Sequence, residues 1–166
     1  MPAREVIVVP HPTLRKKAAP VTDFGAETQQ LIEDMILTLR EESGAGLAAP
    51  QVNVSQQVIL VEFGSEEDET IPPTLYVALN PQITRFSQQM VTGTEGCLSI
   101  PGLMGEVERS QEIVVEGQDR HGEPLKMQLS GWVARIFQHE IDHLNGILYT
   151  DRTSEVWETD ENYNPV

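Results

Sequence analysis

Three kinds of residue pattern are scarce in this chain, and each scarcity closes off a class of function. There is one cysteine among 166 residues, Cys97, so no disulfide can form within the chain and a reducing compartment is the natural setting. Bases are few: 11 Lys and Arg stand against 26 Asp and Glu, for a formal net charge of −15. Nucleic-acid recognition needs clustered Lys and Arg, and an anionic membrane surface attracts the same charges, so neither is an expected partner. The acidity reads instead as a device for solubility. No apolar stretch approaches the roughly 18 residues needed to span a bilayer. The start, Met1-Pro2-Ala3-Arg4-Glu5, lacks the basic-then-apolar layout of a secretory signal, which leaves the cytoplasm as the expected location. Neither repeats nor a linker divide the chain, and its length suits one domain over 1–166, enough to bury roughly 70% of the surface an unfolded chain exposes.

What is present reads as a mixture of strands and helices. The apolar run Val6-Ile7-Val8-Val9 stops at Pro10. Between Thr28 and Glu42, Ile32, Met35, Ile36 and Leu39 recur at helical spacing, and Gly44 and Gly46 follow as a stop. Val58 to Phe63 predicts a buried strand, and residues 64–73 a polar loop. Leu75–Leu79 and Gln82–Met90 suggest further strands, with Asn80-Pro81 as a turn between them. Glu112–Gln118 and Leu125–Leu129 form a predicted hairpin around Asp119-Arg120-His121-Gly122. A second helix is expected from about Gly131 to Leu144, ended by Asn145-Gly146, and an acidic, frayed tail from Asp151 to Val166. The sum is an α+β fold.

The second helix carries His139-Glu140-Ile141-Asp142-His143, an HExxH pattern. Positions i and i+4 share one face of a helix, so both imidazoles can reach one ion, and the Glu after the first His stands where a general base belongs. At about 100° per residue, Trp132, Val133, Ile136, Phe137, Ile141 and Leu144 fill an apolar arc of roughly 180°. Arg135, Gln138, Asp142 and Asn145 fall opposite it, which predicts a polar outer face and a solvated or supporting role for Asp142. His143 lands inside the arc, His139 at its edge and Glu140 near its centre. A carboxylate facing a core costs several kcal/mol unless something compensates it, and a cation alongside does so.

Such a site has three protein ligands and an open position. The remaining candidates are Cys97, His11, His121 and the downstream acids Glu155 and Glu158. Cys97 is the strongest, because Glu95-Gly96-Cys97-Leu98-Ser99-Ile100-Pro101 combines a glycine that admits close backbone approach with a proline expected to stop regular pairing.

Three segments resemble the signature segments of peptide deformylases, in the family's order and spacing. They are Gly44-Ala45-Gly46-Leu47-Ala48-Ala49-Pro50-Gln51, Glu95-Gly96-Cys97-Leu98-Ser99 and Gln138-His139-Glu140-Ile141-Asp142-His143-Leu144. The resemblance implies antiparallel and mixed sheets wrapped around the HExxH helix, with one further helix near the N-terminus. It implies one divalent metal held by Cys97, His139 and His143, natively Fe2+, with Zn2+, Ni2+ or Co2+ able to substitute; sulfur and nitrogen donors suit these ions better than Mg2+ or Ca2+. By the same resemblance Glu140 is the acid–base group, and the Gln51 side-chain amide and the Leu98 backbone N–H stabilise an oxyanion. Gly46 and Trp132 would line the substrate. The implied substrates are N-formylmethionyl peptides of nascent chains at the ribosome, from which the formyl group is removed. Glu95 and Arg109 resemble a charged pair that braces the cysteine segment in relatives, and Arg135 with Ser130-Gly131-Trp132 resembles a subset that includes organellar forms. Met104 departs from the pattern, since many relatives carry Arg there. The rival readings are a metallopeptidase with Glu155 or Glu158 as third ligand, and a non-enzymatic module with a structural metal, which lacks a fourth Cys or His.

Overall fold

A computed structural model describes residues 3–65, 67–160 and 165–166. Strands β1 (Gly46–Ala48), β2 (Val58–Phe63), β3 (Thr74–Phe86), β6 (Glu112–Gln118) and β7 (Pro124–Ser130) form a five-stranded antiparallel sheet in that spatial order. Strands β4 (Met90–Cys97), β5 (Ile100–Ser110) and β8 (Val156–Glu158) form a second, three-stranded antiparallel sheet. Helix α1 spans Ala26–Glu41 and α2 spans Gly131–Leu144. The α+β class is as expected.

The large sheet is buried on both faces, and β2 shows why. Successive side chains of a strand point to opposite faces. Ile59 and Val61 pack with Ala134, Phe137, Ile141 and Leu144 of α2. Val58 and Leu60 pack with Leu31, Ile32, Met35, Ile36 and Leu39 of α1. A continuous apolar run therefore serves two cores, and the sheet is the partition between the helices. A smaller cluster of Ile100, Val107, Leu148 and Tyr149 fills the second sheet.

Several expectations need correction. Helix α1 stops at Ser43, whose φ of 54° is left-handed, so the stop is a serine with Gly44 following it. Asn80-Pro81 is no turn. It is a bulge inside the continuous strand β3, with Asn80 at φ 51° and a register shift between Leu79 and Gln82. The Asn80 side chain satisfies the strained spot by bonding both the N–H and the C=O of Val21. The β4–β5 hairpin is an addition to the expected strands, and it carries little of the apolar alternation that marks one. Pro101 does not stop pairing; it lies inside β5, and Cys97 pairs with Ile100 across a tip made by Leu98 and Ser99. The tail is ordered as far as β8, where Met104 of β5 pairs with Trp157; its residues 161–164 lie outside the described ones.

The N-terminal run makes an unexpected tie. The Ile7 N–H donates to the Gln51 carbonyl at 2.8 Å, and the Val9 N–H donates to the Ser99 carbonyl at 2.9 Å.

Candidate metal centre

Helix α2 delivers two imidazoles and the hairpin tip delivers the thiol. Donor atoms of Cys97, His139 and His143 all lie within 4.8 Å of one another, the single such cluster among the described residues. Cys97 Sγ is 3.3 Å from His143 Nε2. His11, bonded to the Thr13 N–H, and the exposed His121, Glu155 and Glu158 take no part.

Glu95 sets the second tier. Its Oε1 lies 2.9 Å from His139 Nδ1, which turns the other ring nitrogen toward the site. Arg109 grips the same carboxylate with two hydrogen bonds of 2.9 Å each and reaches Asp142 at 2.7 Å. Burial pushes the Glu95 carboxyl up, but the hydrogen bonds from Arg109 and His139 outweigh it and hold the group well below the usual carboxylate range. The braced pair anticipated between Glu95 and Arg109 is thus present and enlarged. Arg135 Nη1 adds a third donor to Glu95 at 2.6 Å.

The polar face of α2 meets solvent at Asn145 but not along the rest of its length. Arg135, Gln138 and Asp142 are 5%, 5% and 8% exposed, so the helix is enclosed on that side by an ionic network rather than by water. Asp142 answers Arg109 and also Arg152, whose Nη2 donates at 2.7 Å. Sequence periodicity separates apolar from polar faces and cannot distinguish a wet polar face from a buried, paired one. Tyr149, which stacks on His139 with ring centroids 5.9 Å apart, left no signal at all.

Glu140 is 3% exposed, and its Oε1 has no hydrogen-bond partner. Burial pushes its carboxyl up to about 7, with His139 and Arg109 opposing and Glu95 and Asp142 assisting. Gly46 makes room for it, since a Cβ at that position would run into Glu140 Oε2 and come within 2.7 Å of Ile136 Cγ2. Gln51 is oriented by its neighbours. Its Oε1 accepts from the Ala48 N–H at 3.0 Å, while its Nε2 donates to Ser99 Oγ at 3.1 Å and stands 3.6 Å from Cys97 Sγ.

These residues form the floor of a cleft of about 800 Å3, whose walls include Gly46, Leu98, Met104 and Trp132. The donor set fits a soft or borderline divalent cation. One thiol and two imidazoles converge, a buried carboxylate oxygen beside them lacks a donor, and no further ligand closes the shell among the described residues. A model of the polypeptide deformylase family matches residues 3–158.

The chain belongs to the polypeptide deformylase family.

This family removes the N-terminal formyl group from nascent peptides, and it is metal-dependent. The peptide deformylase of Thermus thermophilus is 48% identical, with 85% of this chain and 77% of that protein covered. That of Symbiobacterium thermophilum is 45% identical, covering 92% of this chain and 67% of its own. The crystal structure of the Thermotoga maritima peptide deformylase superposes with a TM-score of 0.85 at 40% identity, covering 92% and 98% of the two chains. A Met-Ala-Ser-bound class I type b peptide deformylase from Acinetobacter baumannii does so with a TM-score of 0.85 at 38% identity, covering 91% and 98%. No helix among the described residues is long and apolar enough to cross a membrane.

Proposed function

We propose that this deformylase hydrolyses N-formylmethionyl peptides in the cleft above Cys97, His139 and His143, releasing formate, and that Fe2+ is its native ion, with Zn2+, Ni2+ or Co2+ able to substitute. The observation that carries the reading is the meeting of these three donors beside a buried carboxylate with a free oxygen. When bound, a divalent ion supplies Lewis acidity and makes water a nucleophile at neutral pH.

The chain's own residues do the rest. Glu140, whose carboxyl titrates near neutrality, takes the proton of the attacking water and returns it to the departing amine. The Gln51 amide is locked with its N–H groups toward Cys97, and together with the Leu98 backbone N–H it stabilises the oxyanion of the tetrahedral intermediate. Loss of one such donor costs about 2.7–4 kcal/mol of barrier. Gly46 and Trp132 bound the substrate, the formyl end lying near the narrow Gly46 side. Nascent chains emerging from the ribosome in the cytoplasm are the physiological substrates in this reading, and the acidic composition argues against direct nucleic-acid contact.

The test is turnover of formyl-Met-Ala-Ser by protein loaded anaerobically with Fe2+ or Ni2+, repeated on Glu140→Gln. The expected result is activity in the wild type and a loss of about 100-fold or more in the variant. An inactive, fully loaded wild type overturns the reading.

A further inference from the structure

Arg135 sits one helical turn before His139 on α2, and its side chain runs into the β4–β5 hairpin. Nη1 donates to Glu95 Oε2 at 2.6 Å and to the Val107 carbonyl at 2.9 Å, and Nη2 donates to the Val91 carbonyl at 2.6 Å. One planar fork therefore holds a carboxylate and a carbonyl of β4 together with a carbonyl of β5. Gly93 is the groove through which it passes. A Cβ there would lie 2.9 Å from both Cζ and Nε of Arg135, so the strand is shaped around the guanidinium. The guanidinium also lies 5.3 Å from the ring centre of Trp132, a wall of the cleft.

Near the site the hairpin and the helix are also tied through Glu95 to His139 Nδ1 at 2.9 Å and through Arg109 to Asp142, beside His143, at 2.7 Å. Arg135 provides its counterpart one turn before His139. The two imidazoles are thus bracketed along α2 by crosslinks to the same hairpin whose tip carries Cys97.

We propose that Arg135 is a positioning residue for the metal centre: by clamping both strands of the hairpin and Glu95 at once, it fixes the distance between the helix-borne imidazoles and the hairpin-borne thiol. The inference rests on the three-ligand reading of Cys97, His139 and His143. An Arg fork is suited to this task because it presents several donors in a rigid plane, whereas a Lys ammonium is a single point on a flexible stem.

The measurement is the dissociation constant for Co2+, by chelator competition on metal-free full-length protein, with the thiolate-to-cobalt and d–d absorption bands as the reporter of geometry. Arg135→Leu is expected to weaken Co2+ binding about 10- to 100-fold and to shift the d–d bands, while the far-UV circular dichroism of the metal-free protein is kept. Arg135→Lys should fall between the two. Gly93→Ala, which removes no polar group, should reproduce the weakening by displacing the guanidinium, and should add little in the Arg135→Leu background. It carries the test if Arg135→Leu does not fold. Co2+ affinity and spectrum within twofold of wild type in both single variants overturn the proposal. A wild type that binds no Co2+ sinks the three-ligand reading instead, and the two failures are thereby distinct.

Discussion

Glu140→Gln in the metal-free protein should reverse part of the pH dependence of stability. The wild-type carboxyl is pushed to about 7 by burial, against an ordinary value of 4.5. Below pH 4.5 the group is neutral whether the chain is folded or not, and stability is unaffected by it. Between about 4.5 and 7 the folded protein holds a proton that the unfolded chain has released, so stability falls as the pH rises. Above 7 the folded state must keep a buried carboxylate, and the loss is complete. At about 1.4 kcal/mol per pH unit over this window the full loss comes to about 3.5 kcal/mol. Gln has the same shape and does not ionise. Urea unfolding of both proteins without metal, at pH 5 and pH 8, reads this contribution together with its coupling to the adjacent His139, whose pKa burial lowers and Glu140 helps to raise. The stability of Glu140→Gln relative to wild type should rise by about 2.5 kcal/mol from pH 5 to pH 8, since part of the loss has already occurred at pH 5. An unchanged difference between the two pH values would refute the argument that Glu140 is buried without a compensating partner.

Three further outcomes follow from packing and pairing. Gly46→Ala drives a methyl group into Glu140 and Ile136, and should cost about 1–3 kcal/mol in thermal unfolding together with a fall in kcat/KM for formyl-Met-Ala-Ser. Arg109→Met leaves Glu95 and Asp142 short of a buried partner, and should lower stability by about 3–5 kcal/mol in urea unfolding. Ile59→Ala opens a void between β2 and α2 without removing any residue that lines the cleft, and should cost about 2–5 kcal/mol while leaving the Co2+ affinity of the folded protein within a few-fold of wild type.

The parts of the molecule legible from sequence are those written in periodicity. Ile32, Met35, Ile36 and Leu39 announce α1, the run Val58-Ile-Leu-Val announces β2, and His139, Glu140 and His143 announce themselves as polar residues on a helix face that is otherwise apolar. The β4–β5 hairpin was illegible because its cohesion is polar. Glu95, Arg109 and Arg135 hold it, and charged residues in a strand read as surface. For the same reason periodicity marks the outer face of α2 as polar but leaves open whether water or an ion network meets it, and Asp142 takes the supporting role of the two. Asn80-Pro81 misled through propensity: both residues favour turns, yet the bonds from Asn80 to Val21 let the strand absorb them as a bulge. Cys97 could be singled out because it is the lone thiol, while Tyr149 could not, since nothing in its neighbours distinguishes a residue that stacks on an imidazole from any other core aromatic.

The amides of Ile7 and Val9 are committed to carbonyls of two separate segments, the turn that presents Gln51 and the tip that presents Cys97. The leading segment is consequently a clasp between the two, outside the lining of the cleft. Peeling it away, whether by an appended tag that pulls on it or by a protease that trims past Val9, would leave the Gln51 turn and the Cys97 tip joined on this side, among the described residues, only by the Gln51 side chain, through its bond to Ser99 Oγ.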